Sequence, residues 1–164
     1  MKTERLELAP FKRSDEMLFL ALNTNPYVRK YLWDDQVIDA KTASEILCQN
    51  ETHFEQDKYG LWKIHLKQNG GLIGYVGLWF FFNEEQPQLI YALLEGFTKQ
   101  GYAQEASASI IEYAFKKLDF NYLIAATDEP HIESQKVAKK LGMSFIEKRY
   151  EDEKATLFFR LDKH

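Results

Sequence analysis

The chain has 164 residues, a length that suits one domain with a buried core, and 28% of them are charged, as in ordinary soluble domains. Its net charge of −4 argues against the basic stripe of a nucleic-acid-binding protein. The single cysteine, Cys48, excludes an intramolecular disulfide, and no stretch approaches the roughly 18 apolar residues of a membrane span. We therefore expect one domain over residues 1–164, in the cytoplasm, with no membrane or nucleic-acid partner.

The first third of the chain predicts one strand followed by helices. "RLELAPF" alternates around Leu6 and Leu8 and reads as a strand. Ser14 is the predicted N-cap of a helix through "DEMLFLALN". "PYVRKYLWDD" predicts a short helical turn, and a longer polar helix should run from about Asp39 to Asp57.

The next segment predicts three strands. In "GLWKIHLK", Trp62, Ile64 and Leu66 face one way, and Asn69-Gly70 then gives a strong hairpin signal. "GLIGYVGLWFFF" and "QLIYALLE" follow and are apolar on both faces, which is typical of central strands that are covered on each side.

The last third alternates helices and strands. A helix is predicted from about Tyr102 to Leu118 and a buried strand at "YLIAAT", so residues 88–127 form a locally parallel β-α-β crossover. A second helix, from about Glu133 to Leu141, should stop at Gly142, and "SFIEKRY" and "ATLFFRL" form an antiparallel pair. The pattern predicts an α/β (α+β) fold with a mixed, mostly antiparallel sheet.

One loop carries a possible anion site. In "EGFTKQGYAQEA", Lys99 and Gly101 stand directly before a helix, where free backbone N–H groups and the helix dipole favour phosphate. The loop lacks the Gly-Lys-Ser/Thr ending of a Walker motif, and G-x-G-x-x-G is absent too. Taken alone, the motif fits phosphate binding and an ordinary turn equally well.

Several stretches together resemble one family. "YALLEGFTKQGYAQEA", "HIESQKVAKKLGMSFIEK", "TERLELAPFKRSDE" and "GLIGYVGL" are similar to the GNAT superfamily of N-acetyltransferases, nearest to the branch that acetylates ribosomal-protein N-termini. The resemblance covers nearly the whole chain. It implies a GNAT-like sheet with splayed middle strands and helices on both faces, acetyl-CoA as co-substrate, and direct acetyl transfer to a primary amine.

The resemblance also implies which residues bind the cofactor. The family's phosphate-loop pattern, Arg/Gln-x-x-Gly-x-Gly/Ala, falls on Thr98, Lys99, Gln100, Gly101, Tyr102 and Ala103. Thr98 departs from the first position of this pattern, and Lys99 stands where the branch often has glycine. Backbone amides, however, do not depend on side-chain identity.

The resemblance also implies which residues lie near the thioester, the reacting end of the cofactor. The strand ending at Leu93 and Leu94 is implied to splay from "YLIAAT", so that its backbone binds the pantetheine arm and one N–H polarises the thioester carbonyl. The family's Asn-x-x-Ser reads His131 to Ser134 here, with histidine replacing asparagine. His131 can still hydrogen-bond the pantetheine, although a loop histidine without function, and a Ser134 that only satisfies the start of its helix, stay open as alternatives. Ser134 is implied to donate a hydrogen bond to the departing sulfur.

The proton acceptor and the amine site are less closely defined. Glu95, at the end of the third strand, is the best-placed carboxylate, with Asp128 and Glu129 next. Trp33, Asp34 and Asp35 fall in the segment that lines the acceptor side in similar proteins, where acid groups fit a cationic amine and a plain helix cap equally well. An α-amine of pKa about 7.7–8.0 is roughly a tenth neutral near pH 7, whereas lysine at about 10.4 is almost wholly charged, so a weak base suits an N-terminus better.

Other residues in the chain also allow a catalytic or binding interpretation. Cys48 with His53 lacks a supporting constellation for a nucleophile, no spacing suggests a metal, and Tyr91 and Tyr113 read as core residues. The aromatic run at residues 78–82 fits core packing, the wall of an acceptor pocket or a homodimer surface. The leading hypothesis is an N-acetyltransferase. The rivals are a non-catalytic acetyl-CoA sensor on the same fold and a partner-binding module.

Overall fold

The computed structural model describes residues 1–164, which form seven strands and five α-helices. The strands are β1 (Leu6–Pro10), β2 (Leu61–Leu66), β3 (Leu72–Trp79), β4 (Gln88–Leu93), β5 (Tyr122–Asp128), β6 (Ser144–Glu151) and β7 (Lys154–Asp162). The helices are α1 (Glu16–Thr24), α2 (Pro26–Leu32), α3 (Ala40–Gln56), α4 (Tyr102–Lys116) and α5 (Ile132–Lys140). None of these helices is long and apolar enough to cross a membrane.

The strands form two sheets, ordered β1-β2-β3-β4 and β5-β7-β6. Every hydrogen-bonded strand pair is antiparallel. The predicted hairpin joins β2 to β3, with Gly70 at φ +71° in its turn. The prediction of a mixed, mostly antiparallel α/β fold is confirmed.

The two sheets meet at β4 and β5, which lie side by side without forming a ladder. Near the start of both strands, the Gln86 side chain donates to the Tyr122 carbonyl. Further along, Tyr91 contacts Ser134, just beyond the end of β5. These contacts run in the same chain order, so β4 and β5 are parallel and the predicted crossover through α4 is present. Their separation is the predicted splay.

Both faces of the first sheet are covered. The larger core packs residues of β1, β2 and β3 against α4, whose Ala106, Ile110 and Ala114 have no exposed surface. A second core on the opposite face gathers Phe11, Tyr75 and residues of α1 and α3. This two-sided burial explains why the central strands carry apolar residues on both faces.

Two local predictions need correction. Ser14 does not cap a helix, because it lies inside a 3₁₀ turn over Arg13–Asp15 and Asp15 is the N-cap of α1. The Asp15 carboxylate instead accepts the Lys12 N–H at 2.8 Å and pairs with Lys63. The aromatic strand is also shorter than predicted, since β3 ends at Trp79 and the three following phenylalanines leave the sheet.

Gly74 on β3 permits the close approach of β4. A Cβ at this position would stand 2.1 Å from the Ala92 carbonyl oxygen and 2.9 Å from the Leu93 Cα. We expect Gly74→Ala to lower the free energy of unfolding by about 1–3 kcal/mol, because either strand must shift to relieve the overlap. Urea denaturation measures this change.

Gly96→Ala is the matched control, since a Cβ at Gly96 would have nothing within 4 Å. Its stability should stay within about 0.5 kcal/mol of the wild type. Equal stability of the two variants would show that the β3–β4 approach does not need a glycine.

Candidate functional site

A cleft of about 1090 Å³ opens where β4 and β5 separate. Its walls come from β4, the end of β5, the starts of α4 and α5, helix α2 and the turn between β6 and β7. This volume lies at the upper end of typical ligand pockets, so the cleft suits a long ligand or two ligands at once.

One end of the cleft is lined with unpaired backbone donors. The N–H groups of residues 99–104 make no hydrogen bond within the protein, and all of these residues except Gln100 line the cleft. Glu105 N–H, by contrast, already bonds the Gly101 carbonyl at 2.9 Å. Gly101 is the N-cap of α4 and adopts φ +84°, a left-handed conformation that glycine tolerates at little cost. A loop of free amides leading into a helix start is a ready anion site.

Arg5, which lies next to β1, holds this loop in place. Its guanidinium donates to the Gln100 carbonyl at 3.0 Å and to the Glu105 carboxylate at 2.7 Å, and it stacks over Tyr102 at 4.3 Å. Burial acts to raise the pKa of Glu105, but hydrogen bonds from Thr3 and Arg5 outweigh it and lower that pKa. Sequence reasoning missed Arg5 and Glu105, because they are 100 residues apart in the chain.

The two ends of the cleft carry opposite charge. Near the free amides it is lined by Lys99, Lys136 and Lys140, with Glu133 beside Lys136 at 3.2 Å. At the other end it is lined by acidic residues around one lysine: Asp34, Asp128, Glu151, Asp152, Glu153 and Lys154. An elongated ligand with an anionic end therefore has one favourable orientation in the cleft.

The ladder of β4 determines which backbone group faces the cleft. Leu94 N–H donates to the Ile73 carbonyl at 2.9 Å, so it is already used. Gly74 and Leu93 are the adjacent pair in the register, and antiparallel bonding alternates along a strand. The Leu93 N–H therefore points away from β3 and into the gap. Of the two residues named from the sequence, Leu93 lines the cleft and Leu94 does not.

The start of α5 brings Ser134 and His131 to the same wall. Ser134 Oγ donates to the Tyr91 hydroxyl at 3.2 Å, and that hydroxyl donates to the Ser134 carbonyl at 2.9 Å. His131 stacks on Tyr31, with ring centres 4.0 Å apart. Burial lowers the pKa of His131 to about 4, so its imidazole is neutral near pH 7. Tyr91, predicted as a core residue, packs against the larger core and also lines the cleft.

Thr127 on β5 supplies another polar group to the cleft. Its Oγ1 is buried and has no hydrogen-bond partner in the protein, and the residue lines the cleft opposite β4. A buried hydroxyl without a partner costs free energy unless a ligand or water bonds it. A ligand lying along the gap could satisfy this group.

Lys154 occupies the acidic end. Its ammonium pairs with Asp34 and lies 3.1 Å from an Asp128 carboxylate oxygen. Burial raises the pKa of Asp128; Lys154 opposes this shift and Asp34 adds to it. An ammonium is therefore accommodated between two carboxylates inside the cleft.

Some predicted site residues do not line the cleft. Glu95 is exposed in a 3₁₀ turn over Glu95–Phe97, and Gln100 is exposed on the outer side of the loop. Trp33 donates its Nε1–H to Asn23 Oδ1 at 2.9 Å, within a buried network that also binds the Tyr75 hydroxyl. The remaining predicted residues are brought together in the cleft: Asp34, Leu93, Thr98, Lys99, Gly101, Tyr102, Ala103, His131 and Ser134.

The residues considered for a cysteine nucleophile lie outside the cleft. Cys48 is exposed on α3, and His53 on the same helix faces Asp57 at 3.3 Å, so neither lines the cleft. No three His, Cys, Asp or Glu side chains are grouped as metal ligands. Phe81 and Phe82, from the aromatic run, do line the cleft beside the acidic end.

The fold and the cleft define a class of protein: an α/β domain whose splayed strands form a cleft with free backbone N–H groups at one end. Residues 5–144 match the family model of the acetyltransferase (GNAT) domain. The chain belongs to the GNAT family of acetyltransferases, and the predicted family is confirmed.

Relatives agree with this assignment. The uncharacterized N-acetyltransferase YnaD of Bacillus subtilis is 26% identical over 141 residues, which are 86% of this chain and 80% of YnaD. An acetyltransferase from Agrobacterium tumefaciens superposes with a TM-score of 0.84 at 22% identity, covering 99% of this chain and 94% of that chain.

Two other solved structures contain coenzyme A. RimL, a ribosomal L7/L12 α-N-protein acetyltransferase, superposes with a TM-score of 0.79 at 13% identity, over 98% of this chain and 95% of RimL. The spermidine N-acetyltransferase of Vibrio cholerae, solved with CoA and spermine, superposes with a TM-score of 0.78 at 14% identity, over 96% of this chain and 95% of that chain. These likenesses show the shared fold.

The low pKa of His131 predicts an acid-sensitive fold. Unfolding returns the imidazole to a pKa near 6.5 from about 4 in the folded chain. Between these values the unfolded chain binds the extra proton, so stability is complete above about pH 6.5 and falls as the pH drops toward about 4. Urea unfolding of His131→Asn at about pH 7 and about pH 5 should show a weaker pH dependence than the wild type.

His65→Asn is the control, because the His65 ring bonds the Gly70 carbonyl at 3.0 Å outside the cleft. This variant should keep the pH dependence of the wild type. An unchanged pH dependence in His131→Asn would contradict the assignment of the effect to His131.

Proposed function

We propose that this chain is an acetyl-CoA-dependent N-acetyltransferase that moves the acetyl group directly to a primary amine. The observation that carries the proposal is the row of free N–H groups at residues 99–104. They lie at one end of the cleft between β4 and β5, which do not pair with each other. Family membership supplies the reaction class.

The cleft fits an extended thioester cofactor. The diphosphate would bind the N–H groups of residues 99–104, with Lys99 beside them. The pantetheine arm would lie along β4 as an added strand, facing the free backbone groups of that edge. This path would lead from the N–H groups of residues 99–104 to the Leu93 N–H, and the thioester would then lie near Ser134. Two structural neighbours with CoA support this assignment.

Acetyl transfer then needs few groups from the protein. A neutral amine attacks the thioester carbonyl, and the Leu93 N–H donates a hydrogen bond to the oxyanion that forms. The amine nitrogen of the tetrahedral intermediate loses one proton to a nearby carboxylate. The intermediate then collapses as the C–S bond breaks, its electron pair leaves with sulfur, and Ser134 donates a hydrogen bond to the thiolate. The position of Cys48, the only cysteine, supports direct transfer, because it is exposed and lies outside the cleft.

The acidic end is where the acceptor amine would bind. Lys154 already places an ammonium between Asp34 and Asp128 there. Asp128 is the stronger candidate for the proton acceptor, because it lines the cleft and burial raises its pKa, whereas Glu95 is exposed outside the lining. A protein α-amine or a small polyamine would both suit these carboxylates.

Thiol release tests the proposal. Purified protein is mixed with acetyl-CoA and a panel of protein N-terminal peptides, polyamines and amino acids, while free CoA is followed with a thiol reagent. Mass spectrometry then identifies the acceptor that gains one acetyl group. CoA binding with no thiol release above hydrolysis would favour the non-catalytic sensor. Absence of CoA binding in calorimetry would favour the partner-binding module.

Gly101 gives a sharper test of the anion site. We expect Gly101→Val to lose at least about tenfold in CoA affinity, because a β-branched residue disfavours φ +84° and the loop amides lose their alignment. The fold should persist, since the added Cβ would meet only the end of the Arg5 side chain, at 3.2 Å. Isothermal titration calorimetry with CoA gives the affinity.

Gly70→Val is the matched control for backbone strain. Gly70 also has positive φ, +71°, but lies in the β2–β3 hairpin with nothing within 4 Å of its Cβ position. This variant should lose stability and keep its CoA affinity. Wild-type affinity in Gly101→Val would remove the loop from the proposed site.

Asp128 gives a test of the acceptor end. Asp128→Asn keeps the shape of the side chain and removes the proton acceptor, so kcat/KM for the amine should fall by about a hundredfold or more, while CoA affinity stays unchanged. Glu129→Gln is the control, because Glu129 is exposed and pairs with Lys148 outside the main cleft. Equal kcat/KM values in the two variants would exclude Asp128 as the base.

A further inference from the structure

Tyr91 links the two sides of the cleft through one hydroxyl group. This hydroxyl accepts a hydrogen bond from Ser134 Oγ at 3.2 Å and donates one to the Ser134 carbonyl at 2.9 Å. Both the side chain and the main chain of Ser134 are therefore held by the same oxygen. The bond from Oγ restrains the side-chain rotamer of Ser134, and the bond to the carbonyl restrains the main chain that carries it.

This pair is the only hydrogen-bonded connection between β4 and α5. Tyr91 lies two residues before Leu93 on β4, and Ser134 lies in the first turn of α5. Because β4 and β5 share no ladder, no strand pairing fixes the distance across the cleft at this level. The Tyr91–Ser134 contact supplies this constraint.

From this geometry we infer that Tyr91 is a positioning residue that holds Ser134 Oγ in the rotamer from which its O–H can turn to the sulfur of the bound thioester. The inference rests on the proposed acetyl transfer and names a residue that acts through Ser134. It also connects the two groups that act on the thioester: the Leu93 N–H on the carbonyl side and Ser134 on the sulfur side.

Tyr91 does not supply a proton in this step. Burial raises its pKa to about 12, and its own proton is donated to the Ser134 carbonyl. When the C–S bond breaks, its electron pair stays on sulfur, and the Ser134 O–H turns from the Tyr91 oxygen to the thiolate. The thiolate receives a hydrogen bond and takes its proton later from solvent, so Tyr91 is unchanged at the end.

A double-mutant cycle tests this role. Tyr91→Phe removes the hydroxyl alone, so kcat should fall by about 3–10-fold, the effect of one hydrogen bond. In the Ser134→Ala background the same change should alter kcat less than about twofold, because the group that Tyr91 orients is already absent. A purely structural role, or proton donation by Tyr91 itself, would lower kcat equally in both backgrounds.

A crystal structure of the ligand-free Tyr91→Phe variant gives a second readout that does not depend on activity. Ser134 Oγ should occupy a new rotamer or more than one, whereas the wild type shows one. Tyr113→Phe is the matched control, since the Tyr113 hydroxyl donates to the Lys58 carbonyl at 2.6 Å outside the cleft. It should keep wild-type kcat and the wild-type Ser134 rotamer.

The outcomes separate this inference from the proposed function. An active wild type, with Tyr91→Phe at wild-type kcat and an unchanged Ser134 rotamer, would overturn the inference alone. A wild type that binds acetyl-CoA and releases no thiol with any amine would overturn both. If Tyr91→Phe does not fold, Tyr91→Met replaces it in the cycle, and the same non-additive kcat is expected.

Discussion

The structure depends on two parallel strands, β4 and β5, that are neighbours and never form a ladder. Each is held on its other side by an antiparallel partner, β4 by β3 and β5 by β7, so the facing edges stay apart without either strand becoming loose. Unpaired backbone groups buried away from water would cost about 1–3 kcal/mol each. An open cleft avoids that cost and leaves the same groups available to a ligand, so one topological feature creates both the cavity and its donors.

The charged residues of the cleft are separated along the gap between β4 and β5. The free amides and Lys99 form the cationic end, and Asp34 and Asp128 surround Lys154 at the acidic end. For the proposed reaction, an anionic cofactor and a cationic acceptor would then enter from opposite ends and meet at Leu93.

Much of the fold was predictable because its signals are local. Alternation in β2, the Asn69-Gly70 turn and the apolar stripe of α4 each depend on residues close in the chain. The free amides near Gly101 were predictable for the same reason. Arg5 and Glu105 were not, because their contact joins residues 100 positions apart. Leu93 and Leu94 differ in whether the backbone N–H points toward β3 or into the cleft. The register between β3 and β4 decides this, and the sequence does not show that register.

The departures from the family's loop pattern have a physical explanation in this arrangement. The donors at residues 99–104 are main-chain groups, so the threonine at position 98 and the lysine at position 99 leave them in place. What these donors require is a backbone path, and two residues define it: Gly101, which adopts φ +84°, and Arg5, which anchors the Gln100 carbonyl. For the proposed site, substitutions in the loop should therefore be tolerated where the backbone path is kept and should be costly at Gly101, because the donors are main-chain groups.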